Sequence, residues 1–81
     1  MRVRVLLFAV YRDLAGRSEI DIELESPATA GAAVARIRSM GQGLARLPDR
    51  PVVAVNQEYA RLDAMLSDGD ELALLPPVAG G

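Results

Sequence analysis

The chain has 81 residues, of which 51% are hydrophobic and 25% are charged, and its formal net charge is -2. This length suits one small domain, and no apolar run approaches the roughly 20 residues of a membrane-spanning helix. The slight negative charge and the scattered arginines argue against nucleic acid as a partner. The absence of cysteine agrees with a cytoplasmic location. We expect a cytoplasmic protein that binds neither nucleic acid nor membranes.

The side chains that most often carry catalysis are missing. The chain contains no cysteine, histidine or lysine, and these residues supply most nucleophiles, general bases near neutral pH and soft metal ligands. The few serines and the single threonine therefore have no base beside them to activate a hydroxyl. We expect no metal site and no self-contained active site.

The first third of the chain predicts two strands. Residues 3–10 are apolar except for Arg4, which predicts a central strand covered on both faces. Residues 11–16 suit one helical turn that ends at Gly16. Residues 19–25 alternate acidic and apolar side chains without a break, which predicts a strand paired antiparallel with the first.

A helix and a loop are predicted next. Thr29 is the expected N-cap of a helix that runs from Ala30 to about Met40. Residues at helical spacing give this helix an apolar stripe that we expect to face the core. The stripe consists of Ala30, Ala33, Val34, Ile37 and Met40. Residues 44–51 are expected to form a loop whose leucines hold it against the core.

The remaining residues predict a hairpin and a last strand. Residues 52–55 form a short apolar strand that ends at Asn56-Gln57, a plausible hairpin turn. A weaker edge strand is expected over 59–61. Asp68-Gly69-Asp70 predicts a turn, and residues 71–75 form the last strand.

This order of elements is typical of an α+β roll. The leucine-rich last strand needs cover on both sides, and parallel pairing with the first strand places both in the middle of the sheet. The result is the β-grasp, or ubiquitin-like, fold, a mixed sheet of about five strands that wraps one main helix. We expect residues 1–75 to form this single domain and residues 76–81 to form a flexible tail.

The composition of the tail suggests a function. Pro76 and Pro77 cannot donate ladder hydrogen bonds, so they direct the backbone away from the sheet. Gly80 and Gly81 have no Cβ and fit a slot too narrow for other residues. The tail is therefore suited to place the Gly81 carboxylate inside a partner.

Five motifs spread over the whole chain closely resemble the small subunit of molybdopterin synthase. They are Leu7-Phe8-Ala9, Arg12-Asp13-Leu14 with Gly16, Ala54-Val55-Asn56-Gln57, Leu66-Ser67-Asp68-Gly69-Asp70-Glu71 and Pro76-Pro77-Val78-Ala79-Gly80-Gly81. The terminal Gly-Gly alone is weak evidence. The combination of the Asn-Gln turn, the Asp-Gly-Asp-Glu segment and the Pro-Pro start of the tail is specific. The helix and the loop after it match least well.

The resemblance implies a sulfur-carrier function in molybdenum cofactor biosynthesis. An ATP-dependent activating enzyme would adenylate Gly81, and sulfur from a persulfide donor would then replace AMP to leave a thiocarboxylate. The large synthase subunit would receive the tail and pass the sulfur to a cyclic pyranopterin precursor. The chain would be a sulfur-donor subunit without catalytic groups of its own, in an assembly of two small and two large subunits.

The resemblance also implies which residues contact these partners. They are Phe8, Arg12, Tyr59 and Leu75 on the domain, and Pro76, Pro77, Val78 and Ala79 on the tail. Gly80 and Gly81 form the reactive end. Core packing is the alternative for Phe8 and Leu75, and a solvated surface arginine is the alternative for Arg12.

Three other functions share features of this sequence. Sulfur carriers for thiamin thiazole or tRNA thiolation also end in Gly-Gly. A ubiquitin-like protein modifier would be joined through Gly81 to the lysines of its targets, although this chain has no lysine on which to build chains of itself. A β-grasp adaptor would use its surface and make no use of Gly81.

Overall fold

The computed structural model describes residues 1–77. Residues 78–81 lie outside the described residues. They include Val78 and Ala79, which were predicted to contact a partner, and Gly80 and Gly81, which were predicted to form the reactive end. The strands are β1 (Arg2–Leu7), β2 (Glu19–Glu23), β3 (Val52–Val55), β4 (Glu58–Ala60) and β5 (Glu71–Leu75). The helices are α1 (Ala9–Ala15) and α2 (Ala30–Arg38), followed by a 3₁₀ helix (Gln42–Arg46).

The five strands form one mixed sheet in the order β2-β1-β5-β3-β4. The pairing of β1 with β5 is parallel, and the other three pairings are antiparallel. β5 is therefore hydrogen-bonded on both sides, as its leucine content predicted. The β-grasp prediction is confirmed in its element order, its topology and its one main helix.

The core lies between α2 and one face of the sheet. Four residues of the predicted helical stripe are buried, namely Ala30, Ala33, Val34 and Ile37. They pack against alternate residues of β1, β2, β3 and β5. The fully buried side chains of this layer include Val3, Val5, Leu72 and Leu74, each with 0% of its surface exposed.

The prediction that the first strand is covered on both faces and reaches residue 10 is wrong. In β1, Val3, Val5 and Leu7 are buried, whereas Arg2 and Arg4 are exposed. The reason is that a single main helix covers only one face of the sheet.

The first strand ends three residues earlier than predicted, because the chain turns at Ala9, which has a φ of +49°. Helix α1 begins there, two residues before the predicted helical turn, and it ends as predicted at Gly16. Gly16 has a φ of +76°, and its N–H donates to the carbonyl oxygen of Arg12 at 2.8 Å.

Thr29 is the N-cap of α2, as predicted. Its hydroxyl oxygen accepts a hydrogen bond from the N–H of Ala32 at 3.1 Å. The helix is shorter than predicted. It ends at Arg38, and Ser39 is its C-cap. Met40 was predicted to extend the buried stripe, but it lies beyond the helix with 38% of its surface exposed.

The predicted loop after α2 begins with a 3₁₀ helix. As predicted, it is held to the core by leucines, since Leu44 is 6% exposed and Leu47 is 1% exposed. The 3₁₀ helix lies against α1, where a Cβ added to Gly43 would overlap the carbonyl oxygen of Leu14. Only glycine fits this contact.

The predicted hairpin joins β3 to β4 through Asn56 and Gln57. Both residues have positive φ, +51° and +72° respectively, as a two-residue type I′ turn requires. β4 begins at Glu58, one residue earlier than the predicted edge strand. The predicted turn at Asp68-Gly69-Asp70 is present, with Gly69 at a φ of +86°.

We predict that Gly43→Ala lowers the free energy of unfolding by about 3 kcal/mol, because the new methyl group pushes the 3₁₀ helix off α1. Chemical denaturation monitored by circular dichroism measures the loss. Ala45→Gly, at an exposed position of the same 3₁₀ helix, is the control and should lose no more than about 1 kcal/mol. Equal losses in the two variants would contradict the proposed overlap.

Candidate functional site

The open face of the sheet carries a continuous row of apolar side chains. In the register of the strands, Leu6 of β1 lies opposite Ala73 of β5, and Ala73 lies opposite Ala54 of β3. Ala54 in turn lies opposite Tyr59 of β4. Residues that pair across strands share a face, so one apolar row crosses four strands on the side away from α2.

A shallow cavity of about 350 Å³ lies on this row. Its lining residues are Leu6, Phe8, Ala54, Gln57, Tyr59, Glu71, Ala73 and Leu75. Ala54 and Ala73 are each 8% exposed and form its floor, whereas Phe8 and Tyr59 are 44% and 81% exposed at its edges. We call these eight residues the open face.

Three of the residues predicted to bind a partner, Phe8, Tyr59 and Leu75, lie together on the open face. Phe8 is exposed and Leu75 is half-buried, so neither is an ordinary core residue. Arg12 is exposed on α1 and does not line the cavity. Pro76 and Pro77 follow Leu75 directly, so the tail begins at the edge of the open face.

The turn after β1 places Phe8 at the edge of the cavity. The Phe8 carbonyl oxygen accepts hydrogen bonds from the N–H groups of Tyr11, at 3.0 Å, and Arg12, at 3.4 Å. Tyr11 is only 5% exposed and anchors α1 in the core. The turn needs Ala9 in the left-handed region, which is unfavourable for a residue with a Cβ. The backbone is therefore fixed on both sides of the exposed Phe8 ring.

Sequence reasoning missed five residues of the open face, which are Leu6, Ala54, Gln57, Glu71 and Ala73. Leu6 and the two alanines were taken for ordinary strand residues. Successive side chains of a strand point to opposite faces, so every second residue of β1, β3 and β5 belongs to the face away from α2, but which strands lie side by side is known only from the structure.

Charged residues border the apolar row toward β2. The Nε atom of Arg2 lies 3.1 Å from Oε1 of Glu23, and Nε of Arg4 lies 3.8 Å from Oδ1 of Asp21. All four side chains are more than half exposed, so each ion pair contributes less than about 1 kcal/mol to stability. They give one end of the sheet face a polar border.

A polar network fixes the beginning of β5. The Asn56 side-chain amide donates to Oδ1 of Asp70 at 3.0 Å, and its Oδ1 accepts from the N–H of Glu71 at 3.0 Å. The second oxygen of Asp70 accepts from the N–H of Ser67 at 2.7 Å. These bonds join the β3–β4 turn to the turn before β5, and so hold the register of the strand that leads into the tail.

Residues 1–77 contain no helix long and apolar enough to cross a membrane. Within the same residues, no three carboxylates come close enough together to hold a metal ion. What the described surface does offer is the apolar open face, next to Pro76 and Pro77.

A family model described as the ThiS family matches residues 5–81. The chain belongs to the ThiS family. It is 39% identical to the molybdopterin synthase sulfur carrier subunit of Chlamydomonas reinhardtii over 83 residues, which cover all of both chains. The resemblance drawn from the sequence motifs is thus confirmed.

Two solved structures show the same fold over their full lengths and that of this chain. The crystal structure of SAMP1 from Haloferax volcanii is similar with 32% identity and a TM-score of 0.85. A complex of subunits 1 and 2 of molybdopterin-converting factor from Helicobacter pylori contains a chain with 27% identity and a TM-score of 0.70. In that complex, a ThiS-like fold is bound to a second subunit.

We predict that Asn56→Ala lowers the free energy of unfolding by about 2 kcal/mol, because it removes two hydrogen bonds and places alanine at positive φ. Asn56→Gly removes the same hydrogen bonds without the backbone penalty and should lose about 1 kcal/mol less. Urea denaturation of the two variants measures the loss from the hydrogen bonds and the additional loss from the backbone conformation. If they are equally destabilised, backbone strain has no part in the effect.

Proposed function

We propose that this chain is the sulfur carrier subunit of a molybdopterin synthase, and that it donates sulfur from a thiocarboxylate at Gly81 to a cyclic pyranopterin precursor. Besides family membership, the course of the chain at the end of β5 supports this proposal. The central strand β5 ends at Leu75, on the open face, and the tail begins at the next residue. A partner that covers the open face therefore receives the tail in the same binding event.

The chemistry begins with activation of the Gly81 carboxylate, which by itself resists nucleophiles. An activating enzyme transfers AMP from ATP to the carboxylate and releases pyrophosphate, and the acyl-adenylate then has a good leaving group. The outer sulfur of a persulfide donor attacks the acyl-adenylate and displaces AMP, which gives an acyl disulfide. A thiol then attacks the donor's own sulfur, forms a disulfide with it and releases the thiocarboxylate. The chain contains no cysteine, so the terminal carboxyl is its only suitable carrier of sulfur.

In the second step the docked tail brings the thiocarboxylate to the precursor. Tethering replaces a collision between two dissolved molecules with a reaction inside one complex, which lowers the entropic part of the barrier. This chain then acts as a sulfur donor without catalytic side chains, and the large subunit supplies the active site. Two such transfers build the dithiolene that binds molybdenum.

The large subunit of molybdopterin synthase is the proposed partner of the open face. The likeness to one chain of the Helicobacter pylori two-subunit complex supports this assignment. We propose an assembly of two small and two large subunits in the cytoplasm, with Arg12 on α1 as a further contact. The activating enzyme would use the same face at a different time.

We predict that the purified chain, incubated with an activating enzyme, ATP and a sulfur donor, gains a thiol-reactive group on its C-terminal peptide. After alkylation and cleavage behind Glu71, mass spectrometry should find the alkyl group on residues 72–81. This peptide contains no methionine and no cysteine, so the label reports sulfur on the carboxyl group. Omission of ATP is the control.

A chain that lacks Gly81 should gain no label and should not support pyranopterin conversion by the large subunit. A β-grasp adaptor, in contrast, would keep its activity without Gly81. Failure of the unaltered chain to become labelled with each activating enzyme of its source organism contradicts the sulfur-carrier function.

We predict that Tyr59→Ser weakens binding to the large subunit by about 30-fold or more, because it removes the most exposed aromatic ring of the open face. Its stability should change by no more than about 0.5 kcal/mol, since the side chain is 81% exposed. Isothermal titration calorimetry measures the affinity.

Met65→Ser is the matched control for this substitution. Met65 is also a large exposed apolar residue, with 59% of its surface exposed, but it does not line the open face. This variant should bind as the unaltered chain does. If both variants lose the same affinity, general surface hydrophobicity and not the open face determines binding.

A protein modifier is the second candidate. It is favoured by the TM-score of 0.85 to SAMP1, the small archaeal modifier protein 1 of Haloferax volcanii. A modifier would form an amide bond between Gly81 and lysines of other proteins. Such products survive reducing denaturing electrophoresis, and their proteolytic peptides keep a branch derived from the tail. Their absence from cells in which the thiocarboxylate accumulates would reject this candidate.

A further inference from the structure

The second residue of the β3–β4 turn has an unfavourable backbone conformation. In a two-residue type I′ turn both residues have positive φ, and glycine is the preferred second residue because it has no Cβ. Here the second residue is Gln57, with a φ of +72°. It is exposed, so its side chain is not retained for packing in the core.

The side chain of Gln57 lines the cavity of the open face. Six of the eight lining residues are apolar or aromatic, and Gln57 and Glu71 are the other two. They lie at neighbouring positions, because the N–H of Asn56 donates to the carbonyl oxygen of Glu71 at 2.8 Å. The cavity therefore has a polar wall at the end where the hairpin meets β5.

The hydrogen bonds of this region leave both side chains available to a partner. The turn is held by the Asn56 side chain and the Glu71 backbone N–H, which does not involve the Gln57 amide or the Glu71 carboxylate. Arg4 lies opposite Glu71 in the parallel pairing, but its guanidinium is paired with Asp21 at 3.8 Å. The polar wall thus offers a carboxylate and an amide oxygen to a donor from outside.

We propose that Gln57 and Glu71 are specificity-determining residues that together bind a basic side chain of the large subunit. The inference rests on the proposed function, since it assigns a role within that docking event. A guanidinium or ammonium group satisfies two neighbouring oxygen acceptors, and the apolar floor of Ala54 and Ala73 excludes water beside it. A partner without a basic group would leave the Glu71 carboxylate desolvated and unpaired, which disfavours binding.

The decisive variant is Gln57→Gly, studied by calorimetric titration with the large subunit of the same organism. Glycine suits the turn, so the melting temperature should stay the same or rise. Affinity should nevertheless fall about tenfold, because one hydrogen bond to a charged group is lost. A variant that is at least as stable but binds more weakly would show that Gln57 contacts the partner and is not needed for folding.

Gln42→Gly is the matched control. Gln42 is an exposed glutamine with a φ of +55°, and it lies in the 3₁₀ helix, outside the open face. The same substitution should affect stability similarly and leave binding unchanged. If Gln57→Gly also binds as tightly as the unaltered chain, the role of Gln57 is refuted.

Glu71→Gln tests the charge of the partner group. The unaltered complex should weaken as NaCl is raised, and the variant should bind less tightly with a much smaller dependence on salt. If the variant keeps the full salt dependence, the proposal that Glu71 binds a basic side chain is refuted. If the unaltered chain does not bind the large subunit at all, the proposed function and this inference both fail. If it binds and the Gln57 and Glu71 variants bind equally well, only this inference fails.

Discussion

One main helix must cover a five-stranded sheet, and it can cover only one face. All the large buried side chains of β1 and β5 therefore belong to the α2 side, where Val5, Leu72 and Leu74 are fully buried. The other face is left open, with small residues at its centre and larger apolar residues at its edges. A face suited to docking therefore results from the architecture and requires no additional element.

Backbone strain is concentrated around this open face. Ala9 and Gln57 both have positive φ without being glycine, and each lies at a turn that borders the cavity. Strained conformations of this kind persist only when the surrounding structure fixes them. Here the carbonyl of Phe8 and the side chain of Asn56 supply the necessary hydrogen bonds. Stability is lost at these turns, and in return the backbone that carries the exposed Phe8 and Gln57 is held in place.

Most of the fold could be predicted because local patterns and the tertiary structure agree. The alternation in β2, the Thr29 cap and the Asn56-Gln57 turn are local signals, and all three were confirmed. The error about the two faces of the first strand has a physical origin. Apolar residues that are kept for a partner look the same in a sequence as residues of the core, so the first strand was predicted to be covered on both faces.

Less of the candidate site than of the fold could be predicted. Family resemblance identified Phe8, Tyr59 and Leu75, which the structure brings together on one cavity. Ala73 and Gln57 could not be recognised from single positions. Their place depends on the register between strands that are distant in sequence, and on a turn whose side chain reaches the face of the sheet. The roles of the tail residues beyond Pro77 still rest on the chemistry of the proposed function.

The double pairing of β5 also has a mechanical consequence. Terminal segments usually fray unless they are tied down, and β5, the last strand, is held by β1 on one side and by β3 on the other. A pull along the axis of β5 loads both ladders in shear, so many hydrogen bonds must break together. A load applied through the residues that follow Leu75 therefore does not strip β5 from the sheet one hydrogen bond at a time.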